Sequence, residues 1–341
     1  MSAPASLRQR CALGRAMAVV AVGLLVIVGT YLLSAGDGDT EEFFSDAAAG
    51  GDDLEAALRG AAYANRTLIV TVLNRAYAAE DGGLLDLFLR SLREGEGTAQ
   101  LIGHILLVAT DRPAFLRCRR LGGVRCYQLP PAAADGADDL SSEQLYMSDG
   151  FIRMMWRRIR LLGDVLKLGY SFIFTDLDVM WLRNPLPRLE YRPEEEDLLI
   201  SSDQFNGRAD DYAGNELNTG FFFAASNSRT AALFDEWHAA REAPASAGMK
   251  EQDVLNDMKR RGALRRLGVR ARVLDTARFS GFCQDSRDAR AVATVHANCC
   301  RTMRAKVADL TAVLAAAGRR LNGTSPALRW PPHSECVRSW T

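Results

Sequence analysis

The 341-residue chain lacks net charge of either sign, because 42 lysines and arginines stand against 42 aspartates and glutamates. A general nucleic-acid or polyanion binder would carry a basic excess, so no nucleic-acid partner is expected. The seven cysteines include no Cys-x-x-Cys pair, the spacing common in structural zinc clusters, which argues against one here. A third absence is local: residues 16–35, AMAVVAVGLLVIVGTYLLSA, contain no charged side chain. What is present is an ordinary globular composition, 48% hydrophobic and 25% charged, which excludes wholesale disorder. The length suffices for one large domain or two small ones with a core of their own.

Twenty helical residues span roughly 30 Å, the hydrocarbon thickness of a bilayer. Arg8, Arg10 and Arg15 precede the uncharged run, and Asp37, Asp39, Glu41 and Glu42 follow it. The basic side stays cytosolic, so the expectation is a cytosolic tail at 1–15, a transmembrane helix at 16–35 and a lumenal body, a single-pass type II arrangement. A cleaved signal peptide is the alternative, but the run exceeds a usual h-region and Ser34-Ala35 is a weak cleavage site. Residues 36–62 begin rich in Gly, Ala and Asp and suit a flexible stem. Sequons at Asn65-Arg66-Thr67 and Asn322-Gly323-Thr324 agree with a lumenal body. So do the six cysteines beyond Cys11, an even number for an oxidising compartment. Cys118 with Cys126, and Cys283 with Cys299 or Cys300, are plausible bridges whose connectivity spacing leaves open.

Within the body, residues 67–73 (TLIVTVL), 105–110 (ILLVAT), 124–129 (VRCYQL) and 170–175 (YSFIFT) read as strands. Residues 83–93, 113–121 and 151–168 have helical periodicity, the last with apolar positions at 151, 155, 159, 162 and 166. Residues 130–142 read as a surface loop. Strand and helix in alternation predict an α/β fold with a mostly parallel sheet, whose ligands sit at the carboxyl ends of strands.

Asp176-Leu177-Asp178 directly follows the strand at 170–175. Residues i and i+2 of an extended chain point to one side, so both carboxylates would face one cation while Leu177 faces the core. Two hard oxygen donors suit Mn²⁺ or Mg²⁺. A lone Asp-x-Asp also recurs in solvated loops, and here the buried strand before it carries the signal. Glu251 to Asp253 read equally as a helix N-terminus, and His296 equally as a buried core histidine.

Residues 154–187, then NTGFFFAASNSRTAALFDEWHAAR, KEQDVLND and TVHANCCRTMRAKVADL in that order, resemble the plant nucleotide-diphospho-sugar transferases grouped as glycosyltransferase family 77. The likeness runs from about residue 68 to 314. It implies a GT-A-type lumenal domain, placed here at 63–320 with a C-terminal tail at 321–341. It implies a retaining transferase of the Golgi that moves galactose, arabinose or xylose from a nucleotide diphosphate onto a cell-wall glycan or glycoprotein. On that pattern Asp176 and Asp178 hold the metal, Asp176 also meets the donor diphosphate, and His296 completes the metal sphere.

The same resemblance offers Gln252 and Asp253, with Asn218, as the groups that steady the sugar during transfer. Asp203 and Gly220 would contact the donor sugar, Thr71 and Asn74 the base or ribose, and Arg153 or Arg157 the phosphates. A divalent cation stabilises the charge that grows on a departing diphosphate, so a separate proton donor at the leaving oxygen is not required. Two competing readings are a catalytically inactive sugar-binding relative and an aspartyl-phosphate phosphohydrolase. The second shares a hydrophobic strand followed by Asp-x-Asp, but its motif normally follows the first strand of the domain, whereas three strands precede the one that leads into Asp176 here.

Overall fold

The computed structural model describes residues 53–78, 82–131, 147–321 and 330–341. The expected cytosolic tail, the apolar run at 16–35, residues 36–52 of the expected stem, the alanine-rich loop from 132 and the sequon at Asn322 lie outside them. Among the described residues no helix is long and apolar enough to cross a membrane.

The chain alternates α1 (Leu54–Ala61), β1 (Thr67–Leu73), α2 (Leu84–Glu94), β2 (Ile105–Ala109), α3 (Arg112–Arg120), β3 (Arg125–Gln128), α4 (Asp149–Lys167) and β4 (Ser171–Thr175). There follow β5 (Val179–Trp181), β6 (Leu198–Gln204), β7 (Glu216–Ala224), α5 (Ser228–Ala239), α6 (Glu251–Arg260) and α7 (Ala263–Arg266). The last elements are β8 (Ala271–Val273), β9 (Phe279–Gly281), β10 (Thr294–His296), α8 (Met303–Leu321) and α9 (Ser334–Arg338). The four strands and three helices expected in the first half are present within one or two residues. α4 starts at Asp149 rather than 151 because Ser148 caps it, its hydroxyl accepting from Phe151 N–H at 3.2 Å.

A seven-stranded sheet has the order β3-β2-β1-β4-β7-β6-β8. All its pairings are parallel except those of β7, which runs antiparallel to β4 and β6. A second sheet has the order β5-β10-β9. Side-chain alternation sorts the large sheet's two faces. Ile69, Leu73, Ile105, Leu107 and Ile173 pack with α2 and α8, while Leu68, Val70, Leu106, Phe172 and Phe174 pack with α4 and α5. Because both faces are covered, these strands read as continuous apolar runs. Helices therefore lie on both sides of the sheet, as the sequence predicts.

Two boundaries differ from expectation. Part of the expected stem is folded, since Leu58 and Ala61 of α1 are fully buried against the sheet. Residues 330–341 are likewise no loose tail. Cys336 bonds Cys300, Trp330 Nε1 donates to the Ser286 carbonyl at 2.9 Å, and the Cys336 amide donates to Asp309 at 2.8 Å. The other disulfides are Cys118–Cys126 and Cys283–Cys299, which resolves the open pairing of Cys283.

The entry to β6 is fixed by a buried carboxylate. Asp197 accepts from Arg229 Nε and Nη2 at 3.0 and 2.6 Å, from Arg270 Nε and Nη2 at 3.0 and 2.9 Å, and from Asn227 Nδ2 at 3.0 Å. Burial pushes this carboxyl up, but the hydrogen bonds and charges of Arg270 and Arg229 outweigh it and hold it well below the usual carboxylate range. Its folded pKa lies under the unfolded value of about 3.9, so its contribution is complete above that pH and is lost as pH falls below it. Asp197→Ala should destabilise the body by about 1–3 kcal/mol in urea unfolding at pH 7, because the hydrogen bonds to this carboxylate are lost while the two half-exposed arginines stay hydrated. The gap between variant and wild type should narrow below about pH 4.

Candidate active site

The Asp-x-Asp segment lies where the two sheets meet. Asp176 N–H donates to the Gly220 carbonyl at 2.7 Å and so prolongs the β4–β7 ladder by one residue. Val179 N–H returns to the Asp176 carbonyl at 3.2 Å, a tight turn after which the chain enters β5. There Val179 pairs with His296 across the antiparallel β5–β10 ladder, and Ala297 N–H donates to the Asp178 carbonyl at 3.0 Å. Leu177 is buried in the core, as expected for the residue between two carboxylates that share a side. One oxygen of each of Asp176 and Asp178 and one ring nitrogen of His296 consequently lie within 4.8 Å of one another.

Gly220 makes that approach possible. A Cβ on it would sit 2.3 Å from His296 Cε1 and 2.8 Å from Asp176 Oδ2, closer than atoms approach. The donor set, two hard carboxylate oxygens and an imidazole nitrogen, fits Mn²⁺ or Mg²⁺ better than an all-oxygen Ca²⁺ site.

Cations hold the acids in place. Arg158 of α4, 2% exposed, donates to Asp176 Oδ1 at 2.7 Å, to Glu251 Oε1 at 2.5 Å and to Thr219 Oγ1 at 3.2 Å, and its guanidinium lies 4.5 Å from the Phe174 ring centre. Lys306 Nζ lies 2.7 Å from Asp178 Oδ2, and His296 Nε2 lies 3.3 Å from Asp178 Oδ1. Burial pushes Asp176 up to about 6, only partly offset by Arg158, and the Asp178 charge adds to the rise. Asp178 is also raised by burial, but Lys306 and His296 outweigh this and hold it well below the carboxylate range. Burial disfavours the charged forms of His296 and Lys306, and the Asp178 carboxylate overcomes it, raising both.

Beside the cluster a chain of amides runs from β7 to α6. Gln252 accepts from Thr219 N–H at 3.1 Å and donates to Asp203 Oδ2 at 3.2 Å. Asp203 Oδ1 accepts from Asn218 Nδ2 at 2.8 Å and Asn298 Nδ2 at 2.9 Å, and Asn218 Oδ1 accepts from Gly220 N–H at 2.8 Å. A carboxylate has about four lone-pair sites, so Asp203 retains one for another donor.

These groups line a cavity of about 240 Å³ that includes Asp176, Asp178, Asp203, Asn218, Gly220, Gln252 and His296. Asp253 instead lines a neighbouring hollow with Glu216 and Arg260. Thr71 and Asn74 are fully buried. Val72, on the opposite parity of β1, lines the cavity where Thr71 was expected, together with Tyr77. Arg153 does not line the cavity, and Arg157 donates to the Pro130 carbonyl at 2.6 Å. The arginine that matters is Arg158, one position further along, on the buried face of α4. Glu251, Lys306, Arg301, Asn298 and Trp340 are further lining residues without an assigned role in the sequence reading. The excess of arginines in MMWRRIRLL was the available signal for Arg158, and position 158 falls next to the apolar stripe at 155, 159 and 162. Gly220→Ala should separate His296 from Asp176 and lower nucleotide-sugar turnover by about a hundredfold or more. A thermal melt should show only a modest loss, and full turnover in a folded variant would contradict the geometry.

The sequence profile of the nucleotide-diphospho-sugar transferases matches residues 100–310. An uncharacterized protein of Arabidopsis thaliana is 47% identical over 293 residues, 85% of this chain and 84% of that one. The Arabidopsis thaliana beta-arabinofuranosyltransferase RAY1 is 37% identical over 110 residues, 31% of this chain and 19% of that one. The solved galactosyltransferase LgtC, in complex with donor and acceptor sugar analogues, is 13% identical with a TM-score of 0.44, over 78% of this chain and 99% of that one. The mostly parallel sheet between helices is the α/β architecture expected from the sequence. The chain belongs to the nucleotide-diphospho-sugar transferase family and is a glycosyltransferase.

Proposed function

We propose that the protein is a metal-dependent, retaining glycosyltransferase that moves a sugar of galactose, arabinose or xylose type from a nucleoside diphosphate to a cell-wall glycan or glycoprotein. The observation that carries this reading is the convergence of Asp176, Asp178 and His296, three residues from two sheets, on one small volume. These residues would hold Mn²⁺ or Mg²⁺, which when bound supplies Lewis-acid stabilisation of the leaving diphosphate.

The chain's own groups do the rest. Lys306 and Arg301 line the same cavity and would neutralise phosphate oxygens, whereas Arg158, committed to Asp176 and Glu251, positions the first carboxylate. Retention requires attack from the face the nucleotide leaves, with a polar group near the anomeric carbon to steady positive charge. Gln252 is suited to this because both ends of its amide are anchored, and preorganised dipoles cost no reorganisation during reaction. Asn218 braces Asp203 and the Gly220 amide, and the remaining acceptor capacity of Asp203 fits a sugar hydroxyl. Asp253, in the adjoining hollow, is placed for an acceptor hydroxyl, and its carboxyl is raised by burial. Val72 and Tyr77 take the place of Thr71 and Asn74 beside the base or ribose.

The proposed setting is the Golgi lumen, with the segment at 16–35 as a single-pass type II anchor. Three disulfides within residues 118–336 and an exposed Asn65 sequon support an oxidising, glycosylating compartment. Protease added to sealed microsomes should leave everything beyond residue 40 intact, and digestion of the body without detergent would contradict that topology.

Asp178→Ala should abolish Mn²⁺-dependent release of nucleotide from a panel of UDP- and GDP-sugars. His296→Ala should first raise the Mn²⁺ concentration needed, by about 10–100-fold, before turnover disappears. An unchanged Mn²⁺ titration in either variant would remove the metal assignment.

A further inference from the structure

We propose that Trp340 is the sugar-stacking residue of the acceptor subsite, its indole packing against the ring of the acceptor glycan beside the Asp-Asp-His cluster. The inference deepens the transferase reading given above and rests on it. Trp340 lines the same cavity as Asp176, Asp178 and His296, yet 51% of it is exposed. The other large apolar side chains described as exposed, Leu116, Met147 and Val337, do not line that cavity.

Its position is built rather than incidental. The Cys300–Cys336 disulfide ties the C-terminal segment to the strand-end loop that follows His296. His333 stacks on Phe282 with ring centres 3.6 Å apart, and Ser339 Oγ accepts from the Arg301 amide at 2.9 Å. Trp340 Nε1 donates to the Cys299 carbonyl at 3.1 Å, which satisfies the polar edge of the indole. An amphipathic ring fixed by its edge and open to a cavity matches a sugar, which presents an apolar C–H face and a rim of hydroxyls.

The placement favours the acceptor over the nucleotide base. In open α/β sheets the nucleotide lies at the carboxyl end of the first strand, and Val72 and Tyr77 form that wall here. Trp340 is bonded instead to Cys299, which also borders the neighbouring hollow containing Asp203, Gln252 and Asp253. Of these, Asp203 and Gln252 serve the donor sugar, and Asp253 offers an acceptor for a hydroxyl at the rim of a stacked ring.

The test uses the full chain in detergent micelles, an array of arabinan, galactan, xylan and xyloglucan oligosaccharides probed in the presence of UDP and Mn²⁺, and a separate UDP titration. Wild type should bind one class of these fragments. Trp340→Ala should weaken that binding by about tenfold, Trp340→Phe should retain most of it, and UDP affinity should be unchanged in both. A fall in UDP affinity with oligosaccharide binding intact would overturn the proposal by making Trp340 a base platform. Unchanged binding of both ligands, or a wild type that binds none of the fragments, would overturn it as well. So would a loss that Trp340→Phe shares along with a lowered melting temperature, since that marks a merely structural residue. If wild type releases no nucleotide from any sugar donor yet binds oligosaccharide through Trp340, the transferase reading fails and the acceptor role falls with it, leaving Trp340 as a glycan-stacking residue only.

Discussion

Everything at the cavity depends on two carboxylates two residues apart being fastened to different sheets. Asp176 is tied through its amide to β7, and Asp178 through its carbonyl to the residue after β10. The turn between them is therefore fixed at both ends, and His296 arrives opposite by strand register rather than by side-chain reach. Gly220 completes the arrangement by leaving out the one carbon that would block it. Such preorganisation matters because electrostatic stabilisation is most effective when the groups need not move as charge develops.

Three acids within a buried region would repel one another without compensation. Arg158 spans Asp176 and Glu251, and Lys306 with His296 answers Asp178, so negative charge is matched locally while the rest of the chain is neutral overall. The two carboxyls are shifted in opposite directions: burial prevails at Asp176 and the paired cations prevail at Asp178. A dication in the cluster would favour the ionised form of both. Pairs of this kind are poor sources of net stability but costly to break. The buried network is thus better understood as fixing geometry than as holding the fold together, a task performed by the apolar faces of the sheet.

Much of this was legible in the chain because physical signals were local. β1 and β4 are continuous apolar runs, as expected of strands buried on both faces, and the acids directly after β4 mark its carboxyl end. The order of motifs carried His296 into the site across more than a hundred residues, which composition alone would not have done. Other parts were hidden by parity and by distance. Thr71 and Val72 are adjacent in sequence, and only the strand's facing decides that Val72 meets the cavity. Arg157 and Arg158 differ by one helical position, about 100° around the axis, which separates a side chain on the Pro130 carbonyl from the buried partner of Asp176. Trp340 was illegible because its place depends on the Cys300–Cys336 bond, whose partner spacing carries no pattern.

The central claim is that Asp176, Asp178 and His296 share one divalent cation. Pulsed electron paramagnetic resonance of the protein with Mn²⁺ and UDP tests it most directly, since coupling to nitrogen reports an imidazole ligand and coupling to phosphorus reports the diphosphate. The account predicts both couplings in the wild type, with the nitrogen signal lost in His296→Ala. Phosphorus coupling without nitrogen coupling in the wild type, or no bound Mn²⁺ at all, would contradict it.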